Sequence, residues 1–253
     1  MSKLLEPFNL YGVPFSQPVR AVMWLMLYKQ LPFKMVLINP GSSGETGSRN
    51  AAFLAKNPGG TIPCLEDPIT GYTLGEAHAI MSYLCNRFGW SDVYPSNHES
   101  RGKIDWYLHF HHRTIREASI GLVAPRIRKD LDISQERRAD AQATLATALQ
   151  SLEAGWLKST TFLVGEEVTL ADFAAYVELG QLQAKFTNVF DFQKFPRVSR
   201  WLTRMGEIKG HDEVHVVLAE LGDISKEPPS MDIIRTANKE ALKTIQSCVE
   251  NFV

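Results

Sequence analysis

The chain has no long apolar run, no cysteine framework and no excess of charge of either sign. No stretch approaches the roughly 20 apolar residues that a membrane-spanning helix needs. The first residues, MSKLLEPFNLYG, carry neither the apolar segment nor the cleavage site of a secretory signal. A formal net charge of −1 over 253 residues, with no basic stripe, argues against nucleic acid or an anionic membrane surface as a partner. We therefore expect a cytoplasmic protein that binds neither.

The three cysteines, Cys64, Cys85 and Cys248, match neither a disulfide framework nor a zinc site. No Cys-x-x-Cys pair is present, and such a pair is common in thiol–disulfide enzymes. Three histidines lie close together in the segment 109–112, but no acid or cysteine accompanies them at metal-ligand spacing. We expect free thiols and no metal site.

The first part of the chain alternates between strand and helix patterns. Short apolar segments at 4–11 and 33–38 have the length of strands, and residues 18–30 between them repeat apolar side chains at helical spacing. This order predicts a β-α-β unit with parallel strands.

A loop rich in Gly and Ser, 40–48, follows the β-α-β unit and leads to a short helical stretch that ends at Asn57-Pro58. Two more strands are predicted at 62–66 and 72–74, with turn residues between them, and a helix begins near Glu76. The order β-α-β-(α)-β-β-α is typical of the thioredoxin fold.

Strand patterns nearly vanish after residue 97. The segment 98–129 has a long helical pattern, which Pro125 is predicted to bend or end. Thr169 and Asp172 have the spacing of a capping box ahead of another helix. We therefore predict an α+β chain in three parts: a thioredoxin-like domain at 1–88, a linker at 89–97 and an all-helical domain at 98–253.

Ser16 joins the first strand to the first helix. At such a position a hydroxyl and the free N–H groups of the helix both face an anion. A lone serine before a helix is more often a simple N-cap, so this segment alone leaves both explanations open. Redox enzymes of this fold have cysteine here, so Ser16 argues against disulfide chemistry and against a cysteine-type thiol transferase.

Two other segments of this domain carry chemistry only in combination with Ser16. Pro63 before a short strand suggests a tight, cis bond that would turn the backbone of Ile62 toward an extended peptide, although a plain turn explains it equally. Glu76 and Ala77 open a helix, where a backbone N–H can hold a carboxylate and the Glu76 side chain can meet an ammonium group. The alternative is an ordinary charged first turn. Together, the three segments match what γ-Glu-Cys-Gly requires.

The sequence resembles the soluble glutathione transferases, specifically the serine-dependent theta and phi classes, over about residues 5–210. Five motifs carry the resemblance: SQPVR at 16–20, HRTIR at 112–116, NPGGTIPCLED at 57–67, GEEVTLAD at 165–172 and FPRVSRW at 195–201. The first two are theta-like, the third is phi-like, and the last two are common to the family.

The resemblance implies a glutathione transferase of the kind that serves detoxification, a homodimer with glutathione as co-substrate and no tightly bound cofactor. Ser16 would donate a hydrogen bond to the glutathione sulfur, and the thiolate would attack a hydrophobic electrophile or reduce an organic hydroperoxide. The implied glutathione-binding residues are Ser16, Gln17, Arg49, Thr61, Ile62, Pro63, Glu76 and Ala77. The implied electrophile-site residues are Phe15, His112, Arg116 and Ile120.

One departure from the family pattern bears on affinity. The family usually has Ser or Thr after the glutamate, and here Ala77 lacks the hydroxyl. A hydrogen bond to a charged group contributes about 1.5–3 kcal/mol, so we expect weaker glutathione binding unless His78 or a water molecule compensates. This departure favours the alternative of a non-catalytic ligand-binding or assembly subunit with the same fold.

The roles of Arg116 and of the tail 230–253 each remain open between two alternatives, whereas a single role is expected for Cys64. Arg116 either faces the electrophile or forms an ion pair on the helix surface. Cys64 is expected to be a small core residue. The tail 230–253 either covers the pocket mouth, as in theta enzymes, or packs on the outer surface.

Overall fold

The computed structural model describes residues 6–128 and 131–252. Residues 4 and 5 of the predicted first strand, and residue 129 of the predicted long helix, lie outside these ranges. A four-stranded sheet is built from β1 (Phe8–Gly12), β2 (Phe33–Leu37), β3 (Cys64–Glu66) and β4 (Thr73–Gly75), in the order β2-β1-β3-β4. Strands β1 and β2 are parallel, as predicted, and the other pairs are antiparallel.

Three helices accompany the sheet: α1 (Gln17–Tyr28), α2 (Ala51–Leu54) and α3 (Ala77–Phe88). Most of α1 is buried, because it packs against α3 and against two helices of the later, helical part of the chain. Gly12 at the end of β1 permits this packing, since a Cβ there would lie 2.5 Å from Cγ2 of Val19.

The rest of the chain is helical. Its helices are α4 (His98–Arg113), α5 (Ala124–Ile127), α6 (Gln135–Ser151), α7 (Leu170–Leu179), α8 (Pro196–Met205), α9 (His211–Leu221) and α10 (Met231–Glu250). Two π-helical turns occur, at Ser119–Val123 and Leu152–Trp156. The predicted α+β architecture, a small mixed sheet followed by helices, is confirmed.

The predicted long helix at 98–129 is interrupted at Thr114. The Thr114 hydroxyl donates to the Phe110 carbonyl at 2.6 Å, and the backbone of Thr114 leaves the helical region with φ −136° and ψ −77°. Such back-bonding by threonine competes with the helix ladder. Pro125 lies just after the π-helical turn Ser119–Val123, and α5 ends at Ile127. The helical pattern thus ends close to Pro125, but the earlier interruption at Thr114 was not predicted.

The helix α7 stands at the centre of the molecule, with all ten of its residues buried. The predicted capping box is present at its start, where Asp172 accepts from the Thr169 backbone N–H at 2.9 Å. The same carboxylate accepts from Leu163 N and from Trp201 Nε1, both at 2.9 Å. These contacts hold α7 against α8 while its other side packs on α1.

In the part of the chain that the structure describes, every helix is too short or too polar to cross a membrane.

Candidate active site

Ser16 occupies the N-cap position of α1, with φ −67° and ψ 124°. Its backbone N–H donates to Val13 O at 3.0 Å and its carbonyl accepts from Arg20 N at 2.9 Å. The half-buried side chain makes no capping hydrogen bond. Because the hydroxyl is not used to cap α1, the simple N-cap explanation does not account for this serine.

A cavity of about 200 Å³ opens beside the start of α1, where the sheet domain meets α4 and α7. It lies between the loop before β3, the first turn of α3, the end of α4 and the middle of α7. The predicted site residues that line it are Thr61, Ile62, Pro63, Glu76, Ala77, His112 and Arg116.

The loop that carries Ile62 is held by the buried side chain of Asn57. Asn57 Nδ2 donates to Thr61 O at 2.8 Å, and Asn57 Oδ1 accepts from Gly59 N at 3.2 Å. The Ile62–Pro63 peptide bond is cis, as the sequence suggested. Ile62 itself is half-buried and Thr61 is exposed at the rim.

Glu76 has a left-handed backbone, with φ 65° and ψ 116°, which a residue other than glycine adopts only at a cost. Its side chain is exposed, whereas Ala77, the first residue of α3, is buried. The first N–H groups of a helix have no partner within the helix, so the first turn of α3 offers donors at the cavity wall.

Arg49 lies at the outer edge of this region, where its Nη1 donates to Gly59 O at 3.3 Å. It does not line the cavity. The contact nevertheless places its exposed guanidinium next to the loop that carries Thr61 and Ile62.

Besides Arg49, four predicted site residues are not among those that line the cavity: Ser16, at its edge beside Pro18, and Phe15, Gln17 and Ile120. The amide of Gln17 donates to Gln181 Oε1 at 3.0 Å, in the boundary between the two parts of the chain. Phe15 packs its ring against residues of α9 and α10, and Ile120 lies in the π-helical turn. Of these side chains, Gln17 still contacts a predicted residue of the cavity, since its Oε1 accepts from Arg116 Nη1 at 3.3 Å.

A cluster of imidazole rings forms one wall of the cavity. The ring of His78 lies 4.9 Å from that of His111 and 4.5 Å from that of His112. Among the described residues, Nδ1 of His78 and Nδ1 of His111 are buried without a hydrogen-bond partner. Burial, assisted by the neighbouring His112, lowers the pKa of His78 to about 3, and burial also holds the pKa of His111 well below its usual value.

The histidine cluster has no metal-binding geometry. The described residues include no group of three or more His, Cys, Asp or Glu side chains that could hold a metal ion. Because desolvation keeps His78 and His111 neutral, both present a polar but uncharged surface to the cavity.

Arg116 lines the cavity and is paired with Glu178 of α7, with Nη1 2.5 Å from Oε1. The Glu178 side chain is only 2% exposed, so this is not the helix-surface ion pair that the sequence left open. Glu178 Oε2 also accepts from the Ser119 hydroxyl at 2.6 Å.

Arg20, in the first turn of α1, is completely buried. Its Nη1 donates to Phe15 O at 2.6 Å, and its Nη2 donates to Val177 O at 3.0 Å and to Gln181 Oε1 at 3.1 Å. Burial lowers the pKa of Arg20 to about 9, so the group is still a cation at neutral pH. This side chain ties the Ser16 loop to α7.

Sequence reasoning did not find Glu178, Gln181 or His111. Glu178 is the only acid after Asp172 in the otherwise apolar run LADFAAYVEL. A charged side chain in such a run is buried with a partner, which is the signal that could have identified it.

Two family models match the chain. The N-terminal domain of glutathione S-transferase matches residues 10–94, and the C-terminal domain matches residues 99–208. Glutathione S-transferase theta-1 of Rattus norvegicus is 30% identical over 235 residues, which cover 90% of this chain and 94% of the relative. The chain belongs to the glutathione S-transferase family.

Solved structures agree with this assignment. The apo form of human glutathione S-transferase T1-1 superposes with a TM-score of 0.73 at 26% identity, covering 94% of this chain and 99% of the human protein. Human glutathione transferase theta-2, solved with glutathione and an unknown ligand, shares the fold with a TM-score of 0.72 at 24% identity, covering 97% and 100%. Among the classes, this transferase is theta-like.

Cys64 is the cysteine nearest to the cavity of this transferase, directly after Pro63. It is fully buried in β3, and burial raises the pKa of its thiol to about 11. A thiol with so high a pKa is protonated at neutral pH and is a poor nucleophile. Cys64 is therefore a buried core side chain with a protonated thiol, as expected from the sequence.

The C-terminal helix α10 of the transferase lies mainly against α9. It also reaches the loop before α1, since Asn238 Oδ1 accepts from the Phe15 backbone N–H at 3.0 Å. The tail therefore contacts the residue before Ser16, although none of its described residues lines the cavity.

Proposed function

We propose that this glutathione transferase uses the Ser16 hydroxyl to stabilise the thiolate of glutathione, which then attacks a hydrophobic electrophile. The observation that carries the proposal is the Ser16 side chain, half-buried at the start of α1 and not engaged in capping. The family membership supports glutathione as the substrate.

In this proposal the peptide lies across the cavity mouth. The Ile62 backbone pairs with the cysteinyl unit, the N–H of Ala77 and the carboxylate of Glu76 hold the γ-glutamyl end, and Arg49 meets the glycine carboxylate. Thr61 contributes at the rim. Positioning of this kind fixes the sulfur close to Ser16 before the reaction begins.

The chemical step depends on the acidity of the thiol. A thiol with a pKa of about 8.5 is mostly protonated at neutral pH, and the thiolate is the nucleophile. A hydrogen bond from Ser16 and the positive end of α1 favour the charged form, so the thiol loses its proton to solvent. The sulfur then forms a bond to the electrophilic carbon as the leaving group departs with its electron pair.

The test is the pKa of glutathione bound to the wild type, to Ser16→Ala and to the control Ser91→Ala, whose serine is exposed in the linker. Ultraviolet absorbance of the thiolate reports it. Wild type and Ser91→Ala should lower the thiol pKa by about 1–2 units, since a hydrogen bond to the charged form has that scale of effect. Ser16→Ala should return it close to the free value. An unshifted pKa in the wild type would refute thiol activation.

The second substrate is proposed by class only. A panel of aryl halides, alkyl halides, isothiocyanates and organic hydroperoxides separates conjugation from peroxide reduction, in which two glutathione molecules become the disulfide and the hydroperoxide becomes an alcohol and water. His112 and Arg116 line the cavity and are the proposed contacts for the electrophile.

A non-catalytic glutathione-transferase-like binding protein is the alternative, and the missing hydroxyl at Ala77 favours it. The same titration separates the two, because a binding protein would hold glutathione and leave its thiol pKa unchanged. We further propose, from the family alone, that the protein is a cytoplasmic homodimer. Light scattering of the purified protein tests the dimer.

A further inference from the structure

Three charged side chains meet behind the Ser16 loop, in a cluster that we call the Arg20 cluster: Arg20 of α1, Arg116 after α4 and Glu178 of α7. Arg116 and Glu178 form a direct ion pair. Arg20 has no carboxylate among its hydrogen-bond partners, which are two carbonyls and the side-chain oxygen of Gln181. The Nε of Arg20 is buried without a partner.

Neutral side chains connect these charges to the catalytic loop. Gln17 accepts from Arg116 Nη1 at 3.3 Å and donates to Gln181 Oε1, the same oxygen that Arg20 contacts. Gln17 directly follows Ser16 in the chain. Arg20 Nη1 holds the carbonyl of Phe15, which is the peptide oxygen immediately before Ser16. Ser16 is therefore bracketed on both sides by contacts to the Arg20 cluster.

The cluster carries one net positive charge, because two guanidinium groups are matched by one carboxylate. The other titratable groups that face Arg20 are Tyr176 of α7 and His215 of α9. Burial raises the pKa of Tyr176 and lowers that of His215, so both are neutral at neutral pH. Neither cancels the excess positive charge.

A buried charge without a matching countercharge is costly in a protein interior. The cost falls when an anion arrives nearby, and the proposed reaction creates one beside Ser16. We propose that Arg20 is a positioning residue and the fixed countercharge for the glutathione thiolate, and that Glu178 sets the size of the positive charge that the thiolate experiences. This inference rests on the proposed function of Ser16.

The direction in which two substitutions shift the pKa of the bound thiol separates this role from a purely structural one. Arg20→Gln removes a positive charge and should raise the pKa of the bound thiol. Glu178→Gln removes a negative charge, keeps an oxygen and an amide for Arg116 and Ser119, and should lower it. If the cluster only holds the loop in shape, both variants disturb the loop and both raise the pKa toward the free value.

The experiment is the titration of bound glutathione in wild type, Arg20→Gln, Arg20→Lys and Glu178→Gln, read well below pH 9, where Arg20 is almost fully protonated. We expect shifts of about 0.5–1 unit, smaller than the 1–3 units of a charge in direct contact. They should be upward for Arg20→Gln and downward for Glu178→Gln. Arg20→Lys keeps the charge and should stay closer to wild type than Arg20→Gln.

Circular dichroism of each variant shows whether it is folded, and Glu178→Gln alone decides the question if the Arg20 variants do not fold. An upward or absent shift in Glu178→Gln overturns the inference. A wild type that leaves the thiol pKa at its free value refutes the proposed function instead. A third outcome refutes only the role of the cluster. In that outcome the wild type lowers the thiol pKa and Ser16→Ala restores the free value, but Glu178→Gln shows no downward shift.

Discussion

At the first residue of α3, the proposed glutathione site has the methyl group of Ala77 where the family usually has a hydroxyl. Ala77 is buried at the cavity wall, and the adjacent His78 has a buried Nδ1 without a partner. Imidazole nitrogen without a proton accepts hydrogen bonds and cannot donate them. Neutral His78 has one such nitrogen and one N–H, so its Nδ1 suits the ammonium group of glutathione in one tautomer and the carboxylate in the other.

Ala77→Ser should strengthen glutathione binding. The added hydroxyl gives the carboxylate one more charge-assisted hydrogen bond, with a contribution of about 1.5–3 kcal/mol, or roughly a 10- to 150-fold lower Kd. Isothermal titration calorimetry measures it. The matched control is Ala79→Ser, the same change at an exposed position of the same helix, which should leave Kd unaltered. Equal Kd values for Ala77→Ser and wild type would show that the carboxylate is already satisfied.

At the scale of elements, the turn between β3 and β4 is fixed by Asp67. Its Oδ1 accepts from Ile69 N at 2.9 Å, and its Oδ2 lies 2.8 Å from Nη1 of Arg87 on α3. Burial alone would raise the pKa of this carboxyl, but the Ile69 N–H and the Arg87 cation outweigh it and hold the pKa below the usual range. The turn and α3 are therefore joined through an ionised group.

Acid should weaken this connection. The pKa of Asp67 is lower in the folded state than in the unfolded state, where it is about 3.9. Its ionised form therefore stabilises the protein at pH values above the unfolded pKa, and this stabilisation is lost as the pH falls through the lower folded pKa. Asp67→Asn should thus be less stable than wild type at neutral pH, and the difference should shrink below about pH 4. Urea unfolding at several pH values measures it.

The partner variant Arg87→Gln provides the control for Asp67. Because it removes the cation, Asp67→Asn should cost less free energy of unfolding in the Arg87→Gln background than in wild type. A difference between wild type and Asp67→Asn that stays constant from neutral pH to pH 3 would contradict this account.

Elements governed by local periodicity could be predicted from the sequence, and their interruptions could not. The apolar spacing over 18–30 predicts α1, and the capping pair Thr169 and Asp172 predicts the start of α7. Both predictions succeed because each pattern lies within a few neighbouring residues. The interruption at Thr114 depends on one side-chain bond to Phe110, which competes with an otherwise uniform pattern. Pro125 lies close to the end of the helical pattern at Ile127, but it does not mark the interruption at Thr114.

At the scale of the whole molecule, Trp24 joins the two parts of the chain. The residue belongs to α1, yet its ring contacts Phe173 and Tyr176 of α7, with centroids 5.0 and 5.3 Å away, and its Nε1 donates to Lys209 O at 3.0 Å. The apolar core runs without a break from the sheet to α10. Both parts should therefore unfold together.

Trp24→Ala should lower the free energy of unfolding by about 3–5 kcal/mol, the usual cost of emptying a buried aromatic site. The transition should remain single, because the loss destabilises a contact that both parts share. Urea unfolding followed by circular dichroism, at one fixed protein concentration, measures it. Trp24→Phe is the milder control. Two resolved transitions in the wild type would show that the sheet domain and the helices are independent.

The segments around the candidate site could be predicted from the sequence because they lie within the first 77 residues in a recognisable order. The residues behind them could not. Gln181 contacts Gln17 from 164 positions away in the chain, and Glu178 contacts Arg116 from 62 positions away. Phe15 was predicted for the electrophile site, whereas its ring packs toward α9 and α10.

The hydrogen bond from Phe15 N to Asn238 spans 223 positions in the chain. During synthesis, the loop that carries Ser16 is therefore made 223 residues before the acceptor of the Phe15 N–H. A nascent chain that stops before α10 holds the segments of the proposed glutathione site but lacks the acceptor for this loop. The loop is thus completed only once α10 has been made.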